Sequence, residues 1–241
     1  MQRIFNFSGG KTSAYMVIKY YQQGDIVLFQ DTGREHPKTY KFITDFEAHE
    51  NIPVTRIKYA DVDDPFAELL ARKKHKVIPN RVKRVCTEEL KIKTAKRYLR
   101  SIGIRKFENI IGFRADEGRR VNNRKQLFKL VVDKFPLFED GITKDHINEY
   151  WQSKPYTLEI PSILGNCTLC FMKGERAIMA ILMSYPELAD VWIEDEEKSN
   201  GRQYFKDVTI RTLRDLAQNN LFKNYDLNGV VPQFNCECSG L

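Results

Sequence analysis

A short apolar run at the start of the chain, residues 3–7, leads directly into a turn with two adjacent glycines. The turn and the start of the following helical pattern read Ser8-Gly9-Gly10-Lys11-Thr12-Ser13. A strand, a glycine turn and a helix in this order aim backbone N–H groups and a helix N-terminus at one point, which suits a phosphate group. The hydroxyl groups add donors, and Lys11 adds a positive charge. The pattern predicts either a phosphate-binding loop or an ordinary turn between a strand and a helix.

The spacing of the turn differs from the P-loop of kinases and GTPases, in which four residues separate the two glycines. Further along, short β-rich runs alternate with helical patterns, which predicts a parallel sheet covered by helices. We predict strands at 3–7, 26–30, 53–58 and 109–113 and helices at 13–22, 37–50, 64–74 and 87–101. Because ligands of such sheets bind at the carboxyl ends of strands, we expect Ser8, Asp31 and Arg114 to face one pocket.

The second half of the chain is less regular in pattern. Residues 121–165 are basic and then aromatic, and they suit a lid, a substrate loop or a surface elaboration, with a short strand at 156–161. We expect Trp151 and Trp192 to lie in the core. Helices are predicted at 174–184, 186–197 and 207–218.

Composition limits the class of protein. The chain has 241 residues, 42% of them hydrophobic, and a net charge of +7. These values are typical of a globular protein with an anionic partner, which could be a nucleotide, a nucleic acid or an acidic protein, although a solvated basic surface explains the charge equally well. No apolar run approaches the ~18 residues of a membrane-spanning helix, and the N-terminus lacks a signal-peptide pattern. We expect a cytoplasmic protein that does not bind membranes.

The five cysteines form two close pairs and a single residue. In a cytosolic chain they favour metal or redox chemistry over a disulfide framework. Cys167 and Cys170 have the two-residue spacing with which two thiolates bind one metal or cluster. Cys86 lies at the start of a predicted helix, where the helix dipole favours the thiolate. Cys236 and Cys238 lie near the end of the chain.

Five segments together resemble one family, the 3'-phosphoadenylyl-sulfate (PAPS) reductases of the PP-loop, or N-type ATP pyrophosphatase, superfamily. They are the Ser8–Ser13 turn, which matches the PP-loop, and the segments Asp31-Thr32-Gly33, Cys86-Thr87-Glu88-Glu89-Leu90-Lys91, Gly112-Phe113-Arg114-Ala115-Asp116-Glu117 and Cys167-Thr168-Leu169-Cys170. The resemblance covers about residues 1–185. It implies an α/β fold with a Rossmann-like parallel sheet of the adenine-nucleotide alpha-hydrolase type, helices on both faces and a helical C-terminal region.

The same resemblance suggests how the chain is organised. Residues 1–120 would form the PP-loop nucleotide-binding α/β core. Residues 121–241 would form a cysteine-bearing, mostly helical C-terminal part of the same domain.

The resemblance implies a site for ATP or PAPS. The PP-loop and Arg114 would hold phosphate or sulfate oxygens, Asp31 and Thr32 would lie near the adenosine, and Glu117 and Arg120 would hold the arginine loop. The nucleotide-binding residues would be Ser8, Gly9, Gly10, Lys11, Thr12, Ser13, Asp31, Thr32, Gly33, Gly112, Arg114, Glu117 and Arg120. Many ATP-cleaving members have Asp where this chain has Thr12, which weakens a role for carboxylate-held Mg²⁺.

Two roles are implied for the cysteines. A [4Fe–4S] cluster, or zinc in the alternative, would be held by Cys86, Cys167, Cys170 and Cys236. Cluster-bearing members have a cysteine where this chain has Val85, so the fourth ligand would come from Cys236, Cys238 or outside the chain. The segment Glu237-Cys238-Ser239-Gly240-Leu241 resembles the tail of PAPS reductases, whose cysteine attacks the sulfonate sulfur, although Ser239 is an insertion.

Three functions follow. The first is ATP-dependent sulfur transfer with an iron–sulfur cluster, and the second is PAPS reduction by Cys238 with thioredoxin as reductant. In both, Lys11 and Arg114 would serve the reaction. The third is a nucleotide-sensing or nucleic-acid-binding module without turnover. The partners implied are an adenine nucleotide, thioredoxin or a nucleic-acid acceptor, and a second copy of the chain.

Overall fold

Five short parallel strands form one sheet in the order β3-β2-β1-β4-β5. The computed structural model describes residues 1–124, 129–219, 227–230 and 233. The strands are β1 Gln2–Asn6, β2 Ile26–Asp31, β3 Val54–Lys58, β4 Phe107–Ile110 and β5 Val131–Lys134. In the register, Ile4 of β1 lies opposite Ile26 of β2 and Asn109 of β4. Because the strand order runs outward in both directions from β1, the loop after β1 lies at the topological switch point of the sheet, where ligands of such folds bind.

Ten α-helices are formed by the described residues. They are α1 Lys11–Tyr20, α2 Pro37–Glu50, α3 Pro65–Arg72, α4 Thr94–Ser101, α5 Gly118–Asn122, α6 Pro136–Glu139, α7 Lys144–Gln152, α8 Glu175–Ser184, α9 Asp190–Lys198 and α10 Ile210–Gln218. A π-helix, Thr87–Lys93, runs directly into α4. Short 3₁₀ turns lie at Ala115–Glu117, Ser162–Leu164, Phe171–Lys173, Pro186–Ala189 and Leu227–Gly229. None of the helices in this part of the chain has the length and apolar character needed to cross a membrane.

Helices cover both faces of the sheet, as predicted. Side chains alternate between the faces along each strand, so neighbouring residues of β1 enter different cores. Ile4 belongs to the cluster that contains Ala95 and Leu99 of α4. Phe5 belongs to the cluster that contains Met16 of α1 and Trp151 of α7. The α/β fold class with a Rossmann-like parallel sheet is therefore confirmed.

The C-terminal helices form a third core at one side of the sheet. It contains Leu69 and Leu70 of α3 together with apolar residues of α8, α9 and α10. Trp192 and Tyr204 are its largest buried side chains, and their rings lie 5.0 Å apart. The helical C-terminal region therefore packs on α3 as well as on itself.

A buried arginine joins this third core to the end of β2. The Arg34 guanidinium pairs with Asp64, the residue that caps α3, at 2.8 Å and with Asp195 of α9 at 3.0 Å. It also lies over the rings of Phe66 and Trp192, at 5.1 and 5.3 Å from their centroids. Burial raises the pKa of Asp195, although Arg34 and the Tyr204 hydroxyl favour its charged form. The arginine therefore holds three parts of the chain in one arrangement.

Residues 121–165, expected to be irregular, contribute to the sheet and to its cover. They contain β5, α6 and α7, and β5 completes the sheet beyond residue 120. The strand expected at 156–161 is not formed. Instead, the Tyr156 hydroxyl donates to Glu50 at 2.7 Å and its ring stacks on His49 at 4.5 Å, so side-chain packing fixes this segment. Trp151 and Trp192 are buried, as expected.

The helix expected over 87–101 differs in its first half, which has π geometry. The Thr94 hydroxyl donates to the carbonyl of Glu89, five residues earlier, at 2.9 Å, which supports the wider turn. Such π segments are rare and often lie at functional sites. This one places Lys91 beside the end of β2, as described below.

We expect Arg34→Met to lower the free energy of unfolding by about 3–5 kcal/mol, because it leaves the buried Asp195 without its cation. Chemical denaturation followed by circular dichroism measures this loss. Arg56→Met is the matched control, since Arg56 pairs with Glu47 at the surface and an exposed pair contributes about 1 kcal/mol or less.

A double variant distinguishes the stability lost with the ion pair from the stability lost with the packing of the arginine side chain. Adding Asp195→Asn to Arg34→Met removes the uncompensated charge and should recover part of the lost stability. Equal losses in Arg34→Met and Arg56→Met would contradict the role assigned to Arg34.

Candidate nucleotide-binding site

The PP-loop forms a tight turn between β1 and α1. Gly9 has a φ of +71°, and a Cβ on it would lie 2.6 Å from Cγ2 of Thr39. The Ser13 hydroxyl accepts from the Ser8 N–H at 3.2 Å and donates to the Gly10 carbonyl at 2.9 Å. Gly10 is the N-cap of α1 and has no side chain to cap it. The N–H groups of the first turn of α1 therefore remain available to an anion.

Lys11 is fixed at its backbone by a residue from α7. The indole Nε1 of Trp151 donates to the Lys11 carbonyl at 3.0 Å. Burial of the Lys11 side chain lowers the pKa of its ammonium group. The segment that contains α7 thus supports the PP-loop through the Lys11 backbone. An anion bound beside the ammonium group would raise its pKa again.

Arg114, which follows β4, meets the PP-loop. Its Nη1 lies 3.4 Å from the Thr12 hydroxyl, so the structure brings these two predicted residues together. Asp116 and Glu117 bind the same guanidinium at 3.0 and 3.3 Å. Although burial opposes the charge, the hydrogen bonds from Arg114 lower the pKa of Asp116. Arg114 is therefore oriented by carboxylates toward the first turn of α1.

The remaining residues of this arginine loop have supporting positions. Arg120 pairs with Glu117, and its guanidinium lies 4.2 Å from the ring centroid of Phe113. Gly112 packs against α1, because a Cβ there would lie 3.5 Å from the Met16 sulfur. These contacts agree with the expected role of Glu117 and Arg120 in holding the loop.

The residues expected near the adenosine hold the turn after β2. The Asp31 carboxylate accepts from the Gly33 N–H at 2.9 Å and from the Tyr40 hydroxyl at 2.8 Å. Thr32 is buried and donates to Glu35 at 2.8 Å. Gly33 has a φ of +77°, and a Cβ there would lie 2.6 Å from Pro65. Contact of these side chains with a nucleotide stays a prediction.

The segment with Cys167 is attached to the same turn. Thr168 N–H donates to the Arg34 carbonyl at 2.8 Å, and Glu35 and Cys167 form a β-bridge. The Cys167 Sγ lies 3.3 Å from the Thr32 hydroxyl. Burial raises the pKa of Glu35, and Lys91 and the Thr32 hydroxyl oppose that shift. A buried carboxyl group and a thiol therefore lie together at the end of β2.

A small cavity connects the PP-loop with this end of β2. Its volume is about 10 Å³, and it is lined by Asn6, Phe7, Ser8, Phe29, Gln30, Glu35, Lys91 and Asn166. The sequence analysis did not select Asn6, Glu35, Lys91 or Asn166 as site residues. Glu35 is the second residue after the Asp-Thr-Gly segment and Lys91 ends the Cys-Thr segment. A charged residue inside or close to a motif was therefore the signal available. Nothing in the sequence pattern distinguished Asn6.

The predicted cluster ligands do not form a complete site among the described residues. Cys86 and Cys167 pack against the third core, and Cys170 is buried. Within residues 1–124, 129–219, 227–230 and 233, no group of three or more Cys, His, Asp or Glu side chains is arranged to hold a metal ion. The cysteines among these residues therefore do not form a complete ligand set for an iron–sulfur cluster or zinc.

Cys236 and Cys238 lie outside the described residues. Gln233 is the described residue nearest to them in sequence, and its N–H donates to the Lys173 carbonyl at 2.8 Å. Lys173 in turn donates through Nζ to the carbonyls of Cys167 and Thr168 at 2.8 and 2.7 Å. Two hydrogen-bonded steps thus connect Gln233 to the Cys167 segment, which is itself attached to the turn after β2.

Comparison with known families agrees with this geometry. The family model described as the phosphoadenosine phosphosulfate reductase domain matches residues 2–155, which include β1 to β5 and the PP-loop. The chain belongs to this family. Membership supports an adenine-nucleotide ligand and an enzyme of the reductase family, without deciding the reaction.

Individual relatives add little about the reaction. The chain is 29% identical over 208 residues to the uncharacterized nin region protein ORF290 of Escherichia phage lambda, which covers 74% of this chain and 68% of the relative. A crystal structure of PAPS reductase from Candida auris in its phosphate complex matches with a TM-score of 0.45 and 16% identity. That match covers 65% of this chain and 76% of the other.

The two glycines of the PP-loop should respond differently to substitution. Gly9→Ala combines a positive φ with a 2.6 Å contact, so we expect a loss of about 2–4 kcal/mol in the free energy of unfolding. In Gly10→Ala the φ of −105° is ordinary and the new Cβ lies 3.5 Å from the Ser8 hydroxyl, so the loss should stay near 1 kcal/mol.

Nucleotide affinity of the folded Gly10→Ala protein then tests the loop as a phosphate site. We expect calorimetry to show a loss of about tenfold or more, which is about 1.4 kcal/mol of binding free energy, because the methyl group hinders close approach of phosphate. Unchanged affinity for ATP and for PAPS would contradict a phosphate on this loop.

The lowered pKa of Lys11 gives binding a pH dependence. Only the ammonium form attracts an anion, so affinity should fall as pH rises through the pKa of the unliganded protein, and the fall should begin at a lower pH than for an ordinary lysine. Lys11→Arg, which stays charged, should remove this fall. Identical pH profiles for the two proteins would show that Lys11 does not contact the nucleotide.

Proposed function

We propose that this protein is an adenine-nucleotide-binding enzyme of sulfur chemistry that holds the phosphate or sulfate groups of its nucleotide between the PP-loop and Arg114. The observation that carries the proposal is the approach of Arg114 Nη1 to the Thr12 hydroxyl at 3.4 Å. That contact joins the loops after β1 and β4 at one edge of the sheet. It supports a single anion site built from both loops.

Each residue of this site has a physical task in the proposal. The open N–H groups of α1 and the Lys11 ammonium neutralise the anion. Arg114 offers its planar fork of donors to two oxygens at once. Asp116, whose side chain is 40% exposed, releases the guanidinium when the anion arrives, while the more buried Glu117 keeps it oriented.

The reaction that these residues support best is reductive cleavage of PAPS. In this proposal the Cys238 thiolate attacks the sulfonate sulfur, the bond between sulfur and the phosphate oxygen breaks, and adenosine 3',5'-bisphosphate leaves with the electron pair. A dithiol protein such as thioredoxin then attacks Cys238 of the resulting S-sulfocysteine and expels sulfite. Its second thiol completes the reduction, so that the dithiol becomes a disulfide.

Two features favour this reaction. At position 12 the chain has a hydroxyl group facing Arg114, where a carboxylate could have held Mg²⁺ for ATP cleavage. In addition, Cys238 lies five positions after Gln233, and an extended segment of that length spans at most about 18 Å. Gln233 is attached through Lys173 to the Cys167 segment beside the turn after β2, and the proposal takes this as the anchor from which the Cys238 thiol approaches the anion site.

ATP-dependent sulfur transfer is the second candidate, and the position of Cys167 favours it. In this reaction an acceptor oxygen attacks the α-phosphorus of ATP, pyrophosphate leaves, and a sulfur nucleophile then displaces AMP. Cys167 lies beside Thr32 and Glu35 at the end of β2, where a sulfur carrier would be needed. No step of this reaction is assigned to an iron–sulfur cluster, zinc or Mg²⁺, because the described residues supply no complete ligand set.

A product assay on anaerobically purified protein distinguishes the candidates. Sulfite and adenosine 3',5'-bisphosphate formed from PAPS with thioredoxin would support the reductase. Pyrophosphate or AMP formed from ATP, with PAPS unchanged, would support sulfur transfer. Binding of both nucleotides without any product would contradict both and support a nucleotide-sensing module.

The tail cysteines provide the matched variants. We expect Cys238→Ser to abolish sulfite formation, by about 10³-fold or more, while nucleotide affinity stays unchanged. Cys236→Ser, two residues away, is the control and should retain turnover. Full activity of Cys238→Ser would exclude this thiol as the nucleophile.

A further inference from the structure

A large open cavity lies apart from the PP-loop, on the side of the third core. Its volume is about 1590 Å³. Three segments of the chain and Gln233 line it: the loop 76–83, the turn and first residues of α8 at 173–177, and the loop 202–207. None of the residues assigned to the nucleotide site lines this space.

The lining of this cavity is strongly basic. Six of its residues are exposed cations: Lys76, Arg81, Lys83, Arg176, Arg202 and Lys206. The same lining contains only two carboxylates, Glu175 and Asp207. Within the part of the chain that the structure describes, five of the cations form no salt bridge: Lys76, Lys83, Arg176, Arg202 and Lys206. Their charges are therefore available to a ligand.

The size and shape of the cavity indicate a polymer. Its volume exceeds the roughly 300–1,000 Å³ of ordinary small-molecule pockets, and its cations are spread over three separate segments. A chain with regularly spaced negative charges can contact all of them at once. A single phosphate or nucleotide can contact only a few.

The lining residues also limit the kind of contact that a polymer can make in the cavity. Its two aromatic residues, Tyr204 and Phe205, are buried in the third core, at 1% and 8% exposure. They offer no ring face on which a base could stack. Recognition would therefore depend on phosphate groups, and binding would depend strongly on salt and little on base sequence.

The wall at Lys173 connects the cavity to the turn after β2. Lys173 is itself buried, and its Nζ holds the carbonyls of Cys167 and Thr168. A polymer bound in the cavity would thus pass beside the segment that carries Cys167. The cavity and the nucleotide site are separate in their residues but are neighbours through this turn.

We propose that this basic cavity binds single-stranded nucleic acid through its phosphate backbone. This proposal does not rest on the reaction proposed above, because it uses no residue of the nucleotide site. An open groove of cations that follows the backbone is a common way to bind single strands. The positive net charge of the chain adds to the attraction.

The test is fluorescence anisotropy with a labelled oligo-dT of about 12 nucleotides. Neutralisation of about five phosphates predicts that affinity falls about 100-fold between about 50 mM and about 200 mM salt. The triple variant Lys83→Glu, Arg176→Glu, Arg202→Glu should bind at least about 30-fold more weakly, because it removes three phosphate contacts and adds repulsion. All three side chains are exposed, so the thermal unfolding midpoint should stay unchanged.

The matched control has the same change in net charge elsewhere on the surface. Arg100→Glu, Arg105→Glu, Lys106→Glu reverses three exposed cations near the start of β4, and its affinity should stay within about threefold of the original. Equal losses in both triple variants would show attraction to net charge alone and would overturn the proposal. Absence of binding at low salt would do the same.

Two further measurements keep the proposal separate from its alternatives. Polyglutamate, added at equal charge concentration, should displace the oligonucleotide poorly; displacement as strong as by unlabelled oligo-dT would assign the cavity to an acidic protein instead. Affinity for ATP and PAPS should be unchanged in the cavity variant, whether or not the reaction proposed above proves correct. A parallel loss of nucleotide affinity would mean that the two sites are one.

Discussion

The packing of the C-terminal helices against the end of β2 depends on the contacts of the buried Arg34 guanidinium. Arg34 lies directly after the Asp-Thr-Gly turn and pairs with carboxylates of α3 and α9. The backbone of the same residue binds the Cys167 segment through its carbonyl oxygen. A cation in this position is costly to bury alone, but it is stable here because two carboxylates and two aromatic rings surround it. Loss of any partner would therefore disturb the end of β2 as well as the third core.

The proposed nucleotide site depends on that arrangement. The sheet places the loops after β1, β2 and β4 at one edge, and the Arg34 contacts bring the cysteine segment to the same edge. Gly9 gives the PP-loop the backbone conformation that opens α1 toward an anion, and Trp151 supports the loop through the Lys11 carbonyl. Among the described residues, Lys11 and Arg114 are the cations that the proposal assigns to the anion. In the proposal, these cations and the backbone donors together hold an anion that is released after reaction.

Much of the fold followed from local patterns. The order of strands and helices through residue 113 was readable because each short apolar run ends in glycine or a charged turn. The meeting of the PP-loop with Arg114 followed from the rule that parallel strands bring their carboxyl ends together. The strand β5 was missed because Val131-Val132 is a very short apolar run within a basic segment. The expected strand at 156–161 failed because Tyr156 and Leu158 are held by packing on α2 and its neighbours rather than by a strand partner.

The contacts that sequence reasoning could not supply are long-range and polar. The partnership of Arg34 with Asp195 joins residues far apart in the chain, and no spacing rule links them. No spacing rule links Glu35 with Lys91 either. The basic cavity is formed by three segments, and each of them is an ordinary charged loop in the sequence. Asp31 and Thr32 also hold the turn after β2 through their side chains, a role that their motif did not indicate. Their contact with a nucleotide stays a prediction.

A crystal structure of the protein with adenosine 3',5'-bisphosphate would show whether the PP-loop and Arg114 bind a phosphate group. We expect that group at the first turn of α1, bound by backbone N–H groups of the PP-loop, with the Arg114 guanidinium turned from Asp116 toward its oxygens. A nucleotide bound elsewhere, for example in the basic cavity with the PP-loop empty, would contradict the central claim.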